Sequence, residues 1–213
     1  MNKIIPFIYQ PVTPFHINQG FGANQICINK KDKSDVIHCD GLNPPVGYRS
    51  IYGAGGHNGL DLRAKRFTPI YSSQDGIVTE VVDEELRGMG LGITTTNPFY
   101  CKETNSIEHF KLRYWHNYTH KVRLGDKVSI GDLIAWADNT GYSSGDHLHF
   151  EVKPVSISYK KDGTIKKTTN ILQDNGYYGG VNPMDYMEMK PATTWQGIKS
   201  FKERLAWMLI NTK

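Results

Sequence analysis

The chain has 213 residues, 38% of them apolar and 22% charged, a balance that excludes both a disordered segment and a membrane-embedded one. Its 25 Lys and Arg against 21 Asp and Glu leave a formal charge of +4, too small a basic excess to point to nucleic acid. No apolar run reaches the roughly 18 residues that a membrane-spanning helix needs.

The opening MNKIIPFIYQPVTPF carries Lys3 and a short apolar run broken by Pro6, shorter than the core of a secretory signal. Residues 10–56 are dense in Gly, Pro, Asn and Asp and read as irregular loops. Cys27 and Cys39 share this polar segment, where a disulfide and a pair of free thiols are both open readings. With Cys101 elsewhere and no CxxC spacing, a cysteine zinc site is not expected.

From about residue 69 the texture changes to short β-type runs at 76–82, 91–96 and 110–118. The last alternates, with Leu112, Tyr114, His116 and Tyr118 on one face. In VRLGDKVSIGDLIAW, the pairs Gly125-Asp126 and Gly131-Asp132 predict tight turns, because Gly tolerates positive φ and Asp bonds back to the backbone. Short strands joined by such turns predict a compact, mainly β sandwich or barrel. Residues 155–180, with Lys160-Lys161-Asp162-Gly163 at their centre, read as a β-hairpin followed by a polar loop. The segment Trp195–Ile210 places Ile198, Phe201, Leu205, Met208 and Leu209 on one helical face. It is expected to be a C-terminal amphipathic helix, packed on its own domain or docking a protein partner.

Two of the histidine groupings carry chemistry. In Gly55-Gly56-His57-Asn58-Gly59-Leu60-Asp61 the glycines disfavour a helix and suit a bent backbone that brings His57 and Asp61 together. In Asp146-His147-Leu148-His149-Phe150-Glu151-Val152, a strand would project His147 and His149 from one face, roughly 7 Å apart. Leu148, Phe150 and Val152 would form the opposite, buried face. Two His and one Asp give zinc three ligands and leave a fourth position for water, the pattern of a catalytic site. Zinc brings the pKa of such a water to about 7, and further histidines are available to move protons and stabilise an oxyanion.

The motifs HNGLD (57–61), YWH (114–116), the Gly-Asp turn pair and TGYSSGDHLHFEV (140–152) together resemble the lysostaphin-like (LytM-type) zinc metallopeptidases that cut peptidoglycan peptides. Phe21-Gly22 and Val181–Tyr186 are similar to that family's domain edges. The resemblance implies a lysostaphin-like domain over 10–189, with a lead at 1–9 and a helical tail at 190–213. Its fold would be a compact antiparallel β-sandwich, a barrel-sandwich hybrid, with groove-forming loops at 23–56, 97–110 and 153–180.

The resemblance also implies one Zn2+ on His57, Asp61 and His149, with His116 and His147 as the catalytic histidines. His120 is the nearest rival for the strand histidine, whereas His16, His38 and His109 match nothing and read as surface residues. Tyr48 or Tyr52, just before the zinc motif, is the candidate for reaching the oxyanion. Asn24, Asn117 and Asp146 depart from the family pattern, and Asp146 is expected to hydrogen-bond a neighbouring imidazole.

The expected activity is that of a zinc endopeptidase acting on the stem peptide or cross-bridge of bacterial cell wall, as a secreted enzyme or a phage-encoded lysin. The alternatives are an inactive relative that binds wall or activates an amidase, and a biotinyl-like carrier. The first would be expected to lack one of these five residues. The second needs a hairpin-tip Lys that Lys190 does not provide.

Overall fold

A computed structural model describes residues 6–23, 54–173 and 175–195. Its strands are β1 (Ile8–Gln10), β2 (Ile17–Gln19), β3 (Leu60–Arg63), β4 (Pro69–Tyr71), β5 (Gly76–Glu84), β6 (Gly88–Thr95) and β7 (Phe99–Cys101). There follow β8 (Ser106–Trp115), β9 (Asn117–His120), β10 (Lys127–Val128), β11 (Leu133–Ala137), β12 (His147–Tyr159), β13 (Ile165–Asn170) and β14 (Met187–Pro191). The main sheet runs β10-β5-β6-β8-β12-β3-β2, with β13 on β12 and β7 on β8; a three-stranded sheet runs β4-β11-β9. β1 and β14 pair in parallel, Ile8 opposite Met187. The fold is thus mainly β and, these two strands apart, antiparallel.

Period-two alternation sends one row of each central strand inward. Leu60 and Leu62, Leu91 and Ile93, Leu112 and Tyr114, and Leu148, Phe150 and Val152 are all buried. They form one cluster with Ile70, Ile134, Ala135 and Ala137 of the smaller sheet. Each such side chain contributes about 1.5–3 kcal/mol by leaving water, so burial of this interior holds the two sheets together. Phe7 closes the cluster, stacked on Phe99 with centroids 3.9 Å apart. Cys101 is a buried free thiol, and Cys27 and Cys39 lie outside the described residues.

Both Gly-Asp turns form as expected. Gly125 and Gly131 take φ of 91° and 85°. Asp126 Oδ2 accepts from the Arg123 N–H at 2.8 Å, and Asp132 Oδ2 from the Ser129 N–H at 2.7 Å. The β12–β13 hairpin also forms, Val155 opposite Asn170.

Two expectations need correction. Residues 97–110 are not an open loop but the β7–β8 hairpin, whose turn is made by Asn105 at φ 53°. The alternating run 110–118 is not one strand either. It breaks at His116, which takes φ 65°, and Tyr118 points out to solvent instead of joining Leu112 and Tyr114 inside. The tail helix expected over Trp195–Ile210 lies, beyond Trp195, outside the described residues; the described Ala192–Trp195 forms a 3-10 turn. Among the described residues no helix is long and apolar enough to cross a membrane.

Candidate metal centre

The break at His116 is where the two sheets meet. Asn117, fully buried, turns its Nδ2 back onto the Tyr114 carbonyl at 2.9 Å, and the Asp138 N–H donates to the His116 carbonyl at 2.9 Å. The chain thereby leaves the main sheet and enters the small one, with His116 as the pivot. A non-glycine residue in the left-handed region is uncommon and clusters at functional positions. His120 sits on β9, where its Nε2 meets the Asn117 side chain at 3.2 Å. His16 is exposed, and His109 is half-buried with its Nδ1 donating to the Thr95 carbonyl at 2.8 Å. His38, Asn24, Tyr48 and Tyr52 lie outside the described residues.

Asp61 on β3 stands directly opposite His149 on β12, and the loop before β3 returns His57 to the same point. Asp61 Oδ1 is 2.9 Å from His149 Nδ1 and 3.1 Å from His57 Nε2, and the two nitrogens are 2.9 Å apart. The outer nitrogens settle the tautomers. His57 Nδ1 lies 3.2 Å from the Gly20 carbonyl, which can only accept, so the proton is on Nδ1 and Nε2 is a bare lone pair. His149 Nε2 likewise donates to Glu151 Oε1 at 3.2 Å, leaving Nδ1 bare.

Three acceptor atoms aimed at one another require a positive charge between them, a proton or a metal ion. That demand lifts His149 to about 9: burial opposes the charge, and hydrogen bonds to Asp61 and Glu151 outweigh it. The carboxyl of Asp61 is held well below its usual range, burial being overcome by His57 and His147. Zinc bonds of about 2.0–2.1 Å at tetrahedral angles need ligand atoms about 3.3 Å apart, within a few tenths of an ångström of these spacings. The set fits a metal.

His147 and His116 flank the triangle. His147 is buried, its Nδ1 donates to the Gly145 carbonyl at 2.8 Å, and its Nε2 faces Asp61 Oδ1 at 3.4 Å. His116 donates from Nδ1 to the Thr140 carbonyl at 2.7 Å, and its ring lies 4.6 Å from that of His147. Burial first, then the imidazoles of His147 and His149, push His116 down to about 3. It is therefore neutral near pH 7, with its lone pair on Nε2.

Thr140 is itself clamped. Its Oγ1 donates to the Asn117 carbonyl at 2.9 Å and accepts from the Met89 N–H at 3.0 Å. The next residue, Gly141, has φ 73°, and a Cβ there would meet the Arg87 carbonyl carbon at 2.3 Å. Gly141→Ala is expected to cost about 1–3 kcal/mol and to lower turnover through displacement of the Thr140 carbonyl. Thermal midpoints and initial rates of the two proteins check this.

Asp146 does not serve an imidazole as expected. Its Oδ2 accepts from the Arg66 N–H at 2.9 Å, so it is spent on a backbone donor in the neighbouring loop. The carboxylate that holds the outer nitrogen of an imidazole, that of His149, is Glu151, which sequence reading left unassigned. It shares the His147–His149 face at the next i+2 position, and that alternation was the available signal. Glu151 is buried between Arg113 Nη1 at 3.0 Å and Lys153 Nζ at 2.7 Å. Despite burial, Arg113 and Lys153 hold it well below the usual carboxylate range. Arg113 is also bidentate to Glu80, at 2.8 and 3.0 Å.

Glu151→Ala would leave Arg113 and Lys153 short of a partner and release the His149 ring. The expected cost is about 3–5 kcal/mol of stability and about 10–100-fold in metal affinity. Denaturant unfolding and competitive metal titration check the two parts separately.

The mainly β sandwich thus carries a His57/Asp61/His149 triangle that could hold one metal ion, flanked by two further histidines. Residues 55–161, half of the chain, match the model of Peptidase family M23, and the chain belongs to that family. Over 135 residues it is 34% identical to the peptidoglycan DD-endopeptidase ShyB of Vibrio cholerae, covering 62% of this chain and 29% of that protein. It is 29% identical over 135 residues to the glycyl-glycine endopeptidase ALE-1 of Staphylococcus capitis, covering 58% and 34%. The chain thus spans about a third of the length of these curated relatives. A zinc-containing peptidase from Vibrio cholerae shares the fold, with a TM-score of 0.51 at 24% identity over 88% of this chain and 41% of that one.

Proposed function

We propose that the protein is a zinc-dependent endopeptidase that hydrolyses peptide bonds in bacterial peptidoglycan, acting at the cell wall. His57, Asp61 and His149 would hold the ion, and His116 and His147 would carry the protons. The observation that supports this best is the set of three acceptor atoms, Asp61 Oδ1, His57 Nε2 and His149 Nδ1, each within 3.1 Å of the others. Zinc bound there would polarise the scissile carbonyl and make a water acidic enough to attack near neutral pH.

The protein's own part is positioning and proton transfer. His116, anchored on the Thr140 carbonyl through Nδ1, would take the proton of the attacking water at Nε2. His147, anchored through Nδ1 on the Gly145 carbonyl with Nε2 turned toward the site, would stabilise the developing oxyanion once protonated, and the proton taken from the water would pass on to the leaving amine. The apolar row beneath β12 keeps the histidine-bearing face rigid, which fixes the distances on which both transfers depend. The relatives named as endopeptidases of peptidoglycan and of glycyl-glycine bonds support the substrate class.

The test is turbidity loss of purified sacculi. Lysis by the zinc-loaded protein, abolished by a chelator and restored by zinc, is the expected result. Sacculi that remain turbid under all three conditions, across several wall chemistries, would remove the hydrolase reading.

A further inference from the structure

Beside His116, at the end of the three-stranded sheet, three open side chains are held together by contacts that the metal centre does not use. The Arg66 guanidinium lies over the Phe67 ring at 5.0 Å and over the Tyr118 ring at 5.2 Å. The two rings meet edge to face, with centroids 4.7 Å apart. All three face water: Phe67 is 53% exposed, Tyr118 44%, and the Arg66 side chain 54%. Phe67 also takes φ 67°, its N–H bonded to the Ala137 carbonyl at 2.8 Å. A bulky residue there is a true conformational outlier. Glycine would adopt that backbone freely, yet the position carries a ring displayed to solvent.

The cluster is tied to the two proton-carrying histidines. The Arg66 N–H bonds Asp146, which immediately precedes His147, and Arg66 Nε pairs with Asp138 Oδ1 at 3.1 Å. Asp138 in turn bridges both histidines through its backbone: its N–H donates to the His116 carbonyl at 2.9 Å and its carbonyl accepts from the His147 N–H at 3.3 Å. Tyr118 lies two residues past His116. With Nε engaged, the terminal guanidinium nitrogens make no hydrogen bond among the described residues. A forked pair of N–H donors above aromatic faces is matched to a planar carboxylate carried on an apolar stem.

We propose that Arg66, Phe67 and Tyr118 form a substrate ledge that seats a carboxylate-bearing residue of the peptide beside His116 and His147. The ledge rests on the peptidase reading and names the substrate chemistry of the same site. Arg66 supplies the anion contact, and the paired rings supply a preformed surface whose ordering cost is already met in the free protein.

Calorimetric titration of zinc-loaded protein carrying His116→Ala tests the ledge without turnover. The probes are a stem tetrapeptide with free carboxylates and the same peptide with them amidated. The free form is expected to bind more tightly, and Arg66→Gln to weaken it about fivefold or more while leaving the amidated form unchanged. Phe67→Gly suits the φ without strain and is expected to weaken both forms about fivefold. Equal binding of the two probes, binding of neither, an equal loss of both with Arg66→Gln, or unchanged affinities with Phe67→Gly would each overturn the ledge. Wall lysis by the wild type without carboxylate preference keeps the peptidase and removes the ledge. A carboxylate preference lost with Arg66→Gln, in a protein that cuts no wall, does the reverse.

Discussion

His149→Ala is expected to lose bound zinc and wall lysis together. The substitution deletes one corner of a triangle whose edges are 2.9, 2.9 and 3.1 Å, leaving His57 and Asp61 as two ligands where three converge. Losing an outer partner of a metal histidine costs about 10–100-fold in affinity, and losing the ligand itself should exceed that. Glu151 keeps Arg113 and Lys153 as partners, so the sheet should survive. Elemental analysis should fall from about one zinc per chain to a trace, with lysis undetectable. Zinc retained at full occupancy would move the ligand role elsewhere.

His116→Ala should separate what His149→Ala couples. His116 Nε2 is not a corner of the triangle, and its ring lies 6.1 Å from that of His149, so metal content should be unchanged. The substitution removes the neutral acceptor that the Thr140 carbonyl orients, and turnover should fall by about 10²–10⁴-fold. Parallel metal analysis and initial rates on soluble peptide decide it. A fall in zinc matching the fall in rate would make His116 a ligand rather than a base.

Much of the frame was legible because it is written locally. The Gly125-Asp126 and Gly131-Asp132 turns need only Gly at positive φ and an Asp that bonds back, and both form. The alternation around Leu148, Phe150 and Val152 gave the buried face of β12 directly, since a strand's period is independent of its partners. The glycines around 57–61 already bring His57 to Asp61, whereas the choice of His149 as the third corner came only through family resemblance, because its pairing with Asp61 joins residues 88 positions apart.

What the sequence hid was tertiary. The run Leu112–Tyr118 continues its alternation on paper, and nothing local marks the break; Asn117 makes it by bonding the Tyr114 carbonyl from a buried position. Asp146 looked available to an imidazole until the fold brought the Arg66 N–H to it. The 97–110 segment lacked a glycine turn signal because Asn105 takes the left-handed position instead. Glu151 was overlooked for a different reason. A carboxylate in an apolar run reads as an exception to burial, and here Arg113 and Lys153 make burial possible.

The most direct measurement is mass spectrometry of the soluble products released from purified peptidoglycan by the zinc-loaded protein. Fragments that have gained one water at a peptide bond, on intact glycan and absent when a chelator is present, are the result expected. Cleavage confined to glycosidic bonds, or no soluble fragments from walls of any cross-bridge type, would contradict the central claim.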